Sequence, residues 1–211
     1  MVIGNLDVLG DKLPEDNKLR HAHHIALQAA LRGAEVTRSL LAVARRQPLE
    51  IATTDMNALV AEILPLIRSS AGSAVTVRTQ LRLGELSAPL DASSLTNAVL
   101  NLVINARDAM RDQSTQKRIV LCTGLKQIPG ENDLGLRAGT YATLEVQDNG
   151  PGMSEEVRSR AFEPFFTTKE RGHGTGLGLA MVRGFAEQLG GTAQIESHSG
   201  SGTVVSIYLP Q

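Results

Sequence analysis

The stretch that most constrains this chain is Asn97–Met110, NAVLNLVINARDAM. Leu95, Val99, Leu102, Ala106 and Met110 recur at helical spacing and form one apolar stripe. Asn97, Asn101, Asn105 and Asp108 recur at spacings of four, four and three, which stacks their side chains on another face of the same helix. Such a ladder is either the solvated side of a surface helix or an array that holds a ligand. Neutral amides can ligate a hard cation such as Mg²⁺ through oxygen without cancelling its charge, so stacked asparagines suit a metal–phosphate ligand. The second reading requires the ligand's other contacts to be present elsewhere in the chain.

Three further stretches offer them in order. DNGPGM, Asp148–Met153, follows the strand-like Tyr141–Gln147. A carboxylate just after a strand is placed to accept from an exocyclic amine, while Gly150 and Gly152 let backbone approach a flat base. FEPFFTTK, Phe162–Lys169, comes next, and then RGHGTGLGLAMVRGFAEQLGG from Arg171. Its glycines at 172, 174, 176 and 178 lead into an apolar-periodic helix. A glycine-rich turn at a helix N-terminus turns N–H groups and a positive dipole end toward phosphates. The run is not G-x-x-x-x-G-K-[ST], and no G-x-G-x-x-G frame within it is completed by a sixth-position glycine. A P-loop and the Rossmann and protein-kinase glycine loops are therefore disfavoured.

These four stretches, in this order, resemble the asparagine box, first glycine box, phenylalanine box and second glycine box of sensor histidine kinases, the branch with an H-D-F-N-N acceptor box. The resemblance covers Asp55 to the C-terminus and extends weakly over the first 50 residues. It implies an α+β chain: a helical hairpin over 1–50 for dimerisation and phosphotransfer, then a catalytic ATP-binding domain over 54–211. That domain would be an α/β sandwich of the histidine-kinase, gyrase and chaperone ATPase type.

Composition agrees with a globular chain and excludes several classes. With a formal net charge of −1 there is no basic excess for nucleic acid, and 3% aromatic residues with no Trp leave no base-stacking platform. No apolar run is long enough to span a bilayer. Cys122 is the only cysteine, so an internal disulfide or a cysteine zinc framework is ruled out, which fits a cytoplasmic setting.

Toward the N-terminus, Val2–Lys12 reads as a short helix and Lys18–Gln47 as a long one ended by Pro48. Leu19, Ala22, Ala26, Ala29, Gly33, Val36, Leu40 and Val43 form its seam, which a lone helix cannot bury, so a hairpin that dimerises into a four-helix bundle is expected. The opening MVIGNLDVL looks like the stretch just after the family's acceptor histidine. The expectation is a fragment that lacks that histidine and does not autophosphorylate without it. His21, His23 and His24 lie instead on the second helix, without the acidic residue that follows the acceptor in the family.

Further along, the pattern predicts a helix over Thr53–Ser70 capped by Thr54 or Asp55, strands over Val75–Leu83 and Leu86–Leu90, and the asparagine helix over Asp91–Asp112. A strand over Arg118–Leu125 then precedes a loop over Ile128–Thr140. Ser154 opens a short helix, Phe162–Thr175 reads as a lid, and Thr175–Leu189 as a helix. A closing hairpin joins Thr192–Ser197 to Thr203–Leu209.

What the resemblance implies for the site can be stated by residue. Asn105 matches the Mg²⁺ ligand and Asn101 the asparagine beside the phosphates of ATP. Asp148 matches the residue that binds the adenine amine, with Gly150 and Gly152 lining the base pocket and Thr203 near the adenine. Gly174, Thr175, Gly176, Leu177 and Gly178 match the lid hinge and phosphate turn. Lys169 stands where it could reach a phosphate. Where many members carry a basic residue this chain has Asp108, leaving Arg107 or Lys169 as substitutes. The related chaperone, gyrase and mismatch-repair ATPases carry a water-activating glutamate at the position of Asn101. An amide there cannot take a proton, which favours phosphoryl transfer over hydrolysis. The expected function is an ATP-dependent protein-histidine kinase of a two-component system. Its partners would be a second copy through the hairpin and a response-regulator receiver, with Arg32, Arg38 and Arg45 as pairing candidates. A related ATPase and a degenerate phosphotransfer scaffold are the alternatives.

Overall fold

The computed structural model describes residues 6, 8–10, 18–27, 30, 49–169 and 174–211. The chain divides into two compact units, Met1–Gln47 with Lys169–Thr175, and Pro48–Thr168 with Gly176–Gln211. In the first, Leu6, residues 8–10 and residues 18–27 are helical. His23 Nε2 lies 2.7 Å from the Leu6 carbonyl oxygen. A Cβ added to Gly10 would come 2.7 Å from His23 Cε1, so these two helical stretches touch through a glycine. His21 and His24 are exposed. The expected length of the second helix to Gln47, with Arg32, Arg38, Arg45 and most of the seam, lies outside the described residues, as does His173.

The second unit is a two-layer α/β sandwich. Its main sheet has the order β2-β4-β5-β7-β6, formed by β2 (Val75–Gln80), β4 (Lys117–Ile128), β5 (Gly139–Asp148), β7 (Thr203–Pro210) and β6 (Thr192–Ser197). Only the β2–β4 pair is parallel, because the chain leaves the sheet between them for a crossover. That crossover holds β3 (Ser87–Leu90), which pairs with β1 (Ala52–Asp55), and the helix α2 (Ala92–Ala109). Helix α1 (Met56–Ala71) precedes β2, while α3 (Glu155–Arg160) and α4 (Gly178–Gln188) lie between β5 and β6. Helix α2 packs between α1 and α4.

Alternate strand residues face the helices: Ile119 and Leu121 from β4, Leu144 and Val146 from β5, Val205 and Ile207 from β7, Ala193 and Ile195 from β6. They close one core with Leu59, Val60, Ile63 and Ile67 of α1, Leu95, Val99, Leu102 and Ala106 of α2, and Val182 and Phe185 of α4. Each fully buried aliphatic side chain contributes about 1.5–3 kcal/mol, so the predicted stripe of α2 is a main holding surface of the domain. A smaller cluster of Ile128, Leu136, Tyr141 and Tyr208 sits beneath the 129–138 loop. Asn132 braces that loop by donating to the Pro129 and Leu136 carbonyls and accepting from the Leu134 and Leu136 N–H groups.

Several boundaries differ from the sequence reading, each for a local reason. Ala52–Asp55 is a strand, and α1 begins only at Met56, because Asp55 Oδ1 accepts from Asn57 N–H at 2.9 Å and caps it there. β2 stops at Gln80. Beyond it Arg82 N–H donates to Thr123 Oγ1, and Asn57 Nδ2 donates to the Arg82 and Gly84 carbonyls, pulling the chain out of the sheet. β4 and β5 run longer than predicted, to Ile128 and from Gly139. α2 ends at Ala109, and α4 starts at Gly178 rather than Thr175, since Gly176 has a positive φ of 66°.

Candidate functional site

The site forms along one face of α2. Its N-terminus is set by Asp91, 6% exposed, which accepts from Ser94 N–H, Ser93 Oγ and Glu50 N–H. Burial pushes the Asp91 carboxyl up, but these hydrogen bonds outweigh it and hold the pKa at about 2. Midway along the helix, Asn101, Asn105 and Asp108 are half-buried, whereas Asn97 is exposed. The first residue of α4 meets the middle two: a Cβ on Gly178 would lie 3.4 Å from Asn105 Nδ2 and 3.9 Å from Asn101 Cβ. A first side-chain carbon there would be in ordinary van der Waals contact with both, so the start of α4 lies directly against the asparagines. The N-cap of α4 is Leu177, whose side chain has no oxygen to offer the first-turn N–H groups. A helix start of that kind beside two carboxamides suits an anion carrying a hard cation.

At the far end of α2 the first glycine box closes on Met110. Asp148 ends β5, and its Oδ1 accepts from Gly150 N–H at 2.8 Å. Burial raises the Asp148 pKa, while hydrogen bonds from the backbone of Gly150 and Thr203 oppose that rise. A Cβ on Gly150 would sit 2.8 Å from Asp148 Oδ1 and 3.2 Å from Met110 Cγ, so the absent side chain leaves a slot against the carboxylate. Asn149, between the two, is structural: its Oδ1 accepts from Arg118 N–H at 2.7 Å and its Nδ2 donates to the Gln116 carbonyl at 2.8 Å. Gly152 has φ +69°, and a Cβ there would run into the His198 carbonyl.

Strand pairing sets Thr203 opposite both Asp148 and Ser197. The sequence reading missed Ser197 and Gly202. Ser197 Oγ accepts from Met153 N–H at 2.9 Å, donates to the Gly202 carbonyl at 2.9 Å, and lies 3.0 Å from Thr203 Oγ1. Gly202 has φ +79°, and a Cβ there would collide with the Asp148 carbonyl. The HSGSG turn carried a glycine signal that would have drawn attention to Gly202; no local pattern singles out Ser197.

The phenylalanine box joins the second glycine box through Phe165 N–H, which donates to the Gly176 carbonyl at 2.9 Å. Both residues have positive φ, 68° and 66°, and a Cβ on Gly176 would come 2.7 Å from Phe165 Cα. Lys169, Gly174 and Thr175 fall in the other unit, with Lys169 and Thr175 half-buried and Gly174 exposed. Arg107, one of the two substitutes expected for a phosphate contact, is engaged elsewhere. It pairs with Asp108 at 2.8 Å and donates to the Ser70 carbonyl at the end of α1. Asp108 also faces Arg111 at 3.7 Å. Among the described residues no group of three His, Cys, Asp or Glu side chains could hold a metal, and no helix is long and apolar enough to cross a membrane.

The chain that carries this half-buried acid and glycine slot at one end of α2, and two amides against the start of α4 at its middle, is similar to known proteins. Residues 90–211 match the model of the histidine kinase-, DNA gyrase B-, and HSP90-like ATPase family. The chain therefore belongs to that family, and its ATP-binding domain is of the sensor histidine kinase kind. It is 35% identical over 189 residues to the sensor kinase CckA of Brucella abortus (strain 2308), covering 87% of this chain and 20% of that protein. It is 30% identical over 206 residues to the sensor histidine kinase ZraS of Escherichia coli (strain K12), covering 95% of this chain and 40% of that protein. The solved structure of the mycobacterial sensor histidine kinase MprB matches with a TM-score of 0.58 at 26% identity, over 76% of this chain and 97% of that one. The chain thus spans less than half the length of these curated relatives.

Proposed function

We propose that this chain works as the catalytic part of a two-component histidine kinase, passing the γ-phosphoryl group of ATP to a protein histidine and thence to an aspartate of a response-regulator receiver. The observation that carries the proposal is the placement of two complementary subsites along α2. Asn101 and Met110 are nine residues apart, roughly 13 Å along a helix axis, which is the scale of an extended nucleoside triphosphate. The carboxylate of Asp148 would accept from the adenine amine, with Gly150 and Gly152 giving room for the ring and Thr203 beside it. Asn105 would ligate Mg²⁺ through its amide oxygen and Asn101 would flank the phosphates, with Gly176, Leu177 and Gly178 turning the start of α4 toward them. In sequence, Lys169, Gly174 and Thr175 precede that turn. When bound, ATP supplies the phosphoryl group and Mg²⁺ neutralises its negative charge.

The chain's own residues hold and orient. Asn101 has no basic lone pair to take a proton from water, so the site favours transfer to an imidazole, which brings its own nucleophile, over hydrolysis. The N-terminal residues, about 1–50, would form a helical hairpin, with residues 54–211 as the catalytic domain. The contact of His23 with Leu6 and Gly10 supports the hairpin, and pairing of two copies through it would give the bundle that its seam requires.

The test is incubation with γ-labelled ATP and Mg²⁺ beside a hairpin protein carrying the H-D-F-N-N box. Acid-labile label on the hairpin protein supports the proposal. Free phosphate well above a no-protein control, without protein label, rejects it in favour of an ATPase. Label on this chain alone would place an acceptor histidine within it, with His21, His23 and His24 the first to substitute.

A further inference from the structure

Arg183 lies on α4 five residues beyond Gly178, on the helix whose start meets the asparagines. Its guanidinium carbon stands 3.6 Å from the centroid of the Phe162 ring, a face-on stack on the first residue of the phenylalanine box. Its Nη2 donates to the Ala193 carbonyl of β6, the edge strand, at 3.2 Å. Its Nε is buried with no hydrogen-bond partner among the described residues. A buried guanidinium N–H left unbonded is costly; the ring stack, the strand contact and the attraction of the Glu187 carboxylate one turn further along α4 hold the group in place against that cost. Phe162 in turn packs on the main core.

The box is held at a second point as well, to the turn just before α4, by the bond from Phe165 N–H to the Gly176 carbonyl. Between these points it folds as a tight turn, with Glu163 N–H donating to the Arg160 carbonyl, Phe166 N–H to the Glu163 carbonyl, and Arg160 stacked 4.3 Å from the Phe166 ring. Gly176 and Gly178 belong to the turn that faces Asn101 and Asn105. A brace at Phe162 therefore acts, through Phe165 and Gly176, on the turn that leads into α4 opposite Asn101 and Asn105.

We infer that Arg183 is a positioning residue for the phosphate subsite: by clamping Phe162 between α4 and the sheet edge, it fixes the phenylalanine-box turn and, through Phe165 and Gly176, the start of α4 opposite Asn101 and Asn105. This rests on the nucleotide reading of that site.

The test compares wild type with Arg183→Met, which keeps bulk but loses charge and donors, and with Arg183→Lys, which keeps charge but loses the flat plane. Amide exchange at Phe165 and Phe166 is measured without nucleotide, and binding of Mg-ATP and of adenosine by calorimetry. Arg183→Met should still melt cooperatively, exchange these amides about tenfold faster, and bind Mg-ATP about tenfold more weakly with adenosine affinity unchanged. Arg183→Lys should recover part of both effects. Should Arg183→Met not fold, Arg183→Lys carries the same readouts at smaller amplitude. Unchanged exchange at Phe165, or equal weakening for adenosine and Mg-ATP, overturns the inference. If wild type binds neither ligand, the nucleotide reading falls and with it the role at a phosphate subsite, while the exchange data still report whether Arg183 clamps the box.

Discussion

Replacing Asp148 by Asn separates the binding role of that side chain from its cost to folding. Asn keeps the shape and one acceptor oxygen, so the 2.8 Å bond from Gly150 N–H can survive. What disappears is the charge and the second acceptor that would meet the exocyclic amine of adenine. A hydrogen bond to a charged partner contributes about 1.5–3 kcal/mol, so Mg-ATP affinity should fall roughly ten- to 150-fold. Stability should move the other way. Burial raises the Asp148 pKa above its ordinary 3.8. Between the unfolded and folded values the native state binds the extra proton, so stability falls as pH rises through that interval, and the cost persists at neutral pH. Asn carries no such cost. Nucleotide-free Asp148→Asn should therefore melt no lower than wild type at pH 7, and any advantage should vanish as the pH drops below 3.8. Calorimetry of Mg-ATP at pH 7 together with melts at neutral and acid pH reads both effects. Unchanged affinity refutes the assignment of Asp148, and a loss of affinity that tracks a lower melting temperature would trace the effect to folding.

Further outcomes are expected elsewhere. Asn105→Ala should abolish the Mg²⁺-dependent part of ATP affinity while adenosine still binds; equal calorimetric affinity for Mg-ATP would show that the metal is held otherwise. Gly202→Ala forces a side chain onto φ +79° and into the Asp148 carbonyl, which should cost about 2–4 kcal/mol in urea unfolding; a neutral result would remove the close-approach argument. Asp91→Ala removes the α2 cap and should cost about 1–2 kcal/mol. Because the Asp91 pKa is lowered from 3.8 to about 2, that contribution is full above pH 3.8 and fades as pH falls through about 2. A wild-type versus Asp91→Ala difference that did not shrink over this acid range would contradict it.

How much could be read beforehand follows from the range over which each signal acts. The helix α2, with its apolar stripe and asparagine ladder, was legible because helical periodicity is written within three or four residues. So were the start of the short helix at Ser154 and the closing hairpin. The turn geometry at Gly152 and Gly176 was foreshadowed for the same reason, since a positive φ favours glycine whatever lies beyond. The β1 strand was missed because Ala52–Thr54 has no alternation, and its strand state comes from β3, more than thirty residues later.

The sequence alone thus determined the elements of the ATP-binding domain apart from β1, and the residue types of each box, and through them the family. Only the tertiary structure decided which boxes touch. The sheet register puts Thr203 opposite Asp148 and Ser197, helix packing sets Gly178 against Asn101 and Asn105, and folding turns Arg107 to the end of α1 and Arg183 onto Phe162. Those contacts join residues far apart in the chain. Burial and complementary hydrogen bonding across packed layers fix them, and no window of sequence contains both partners.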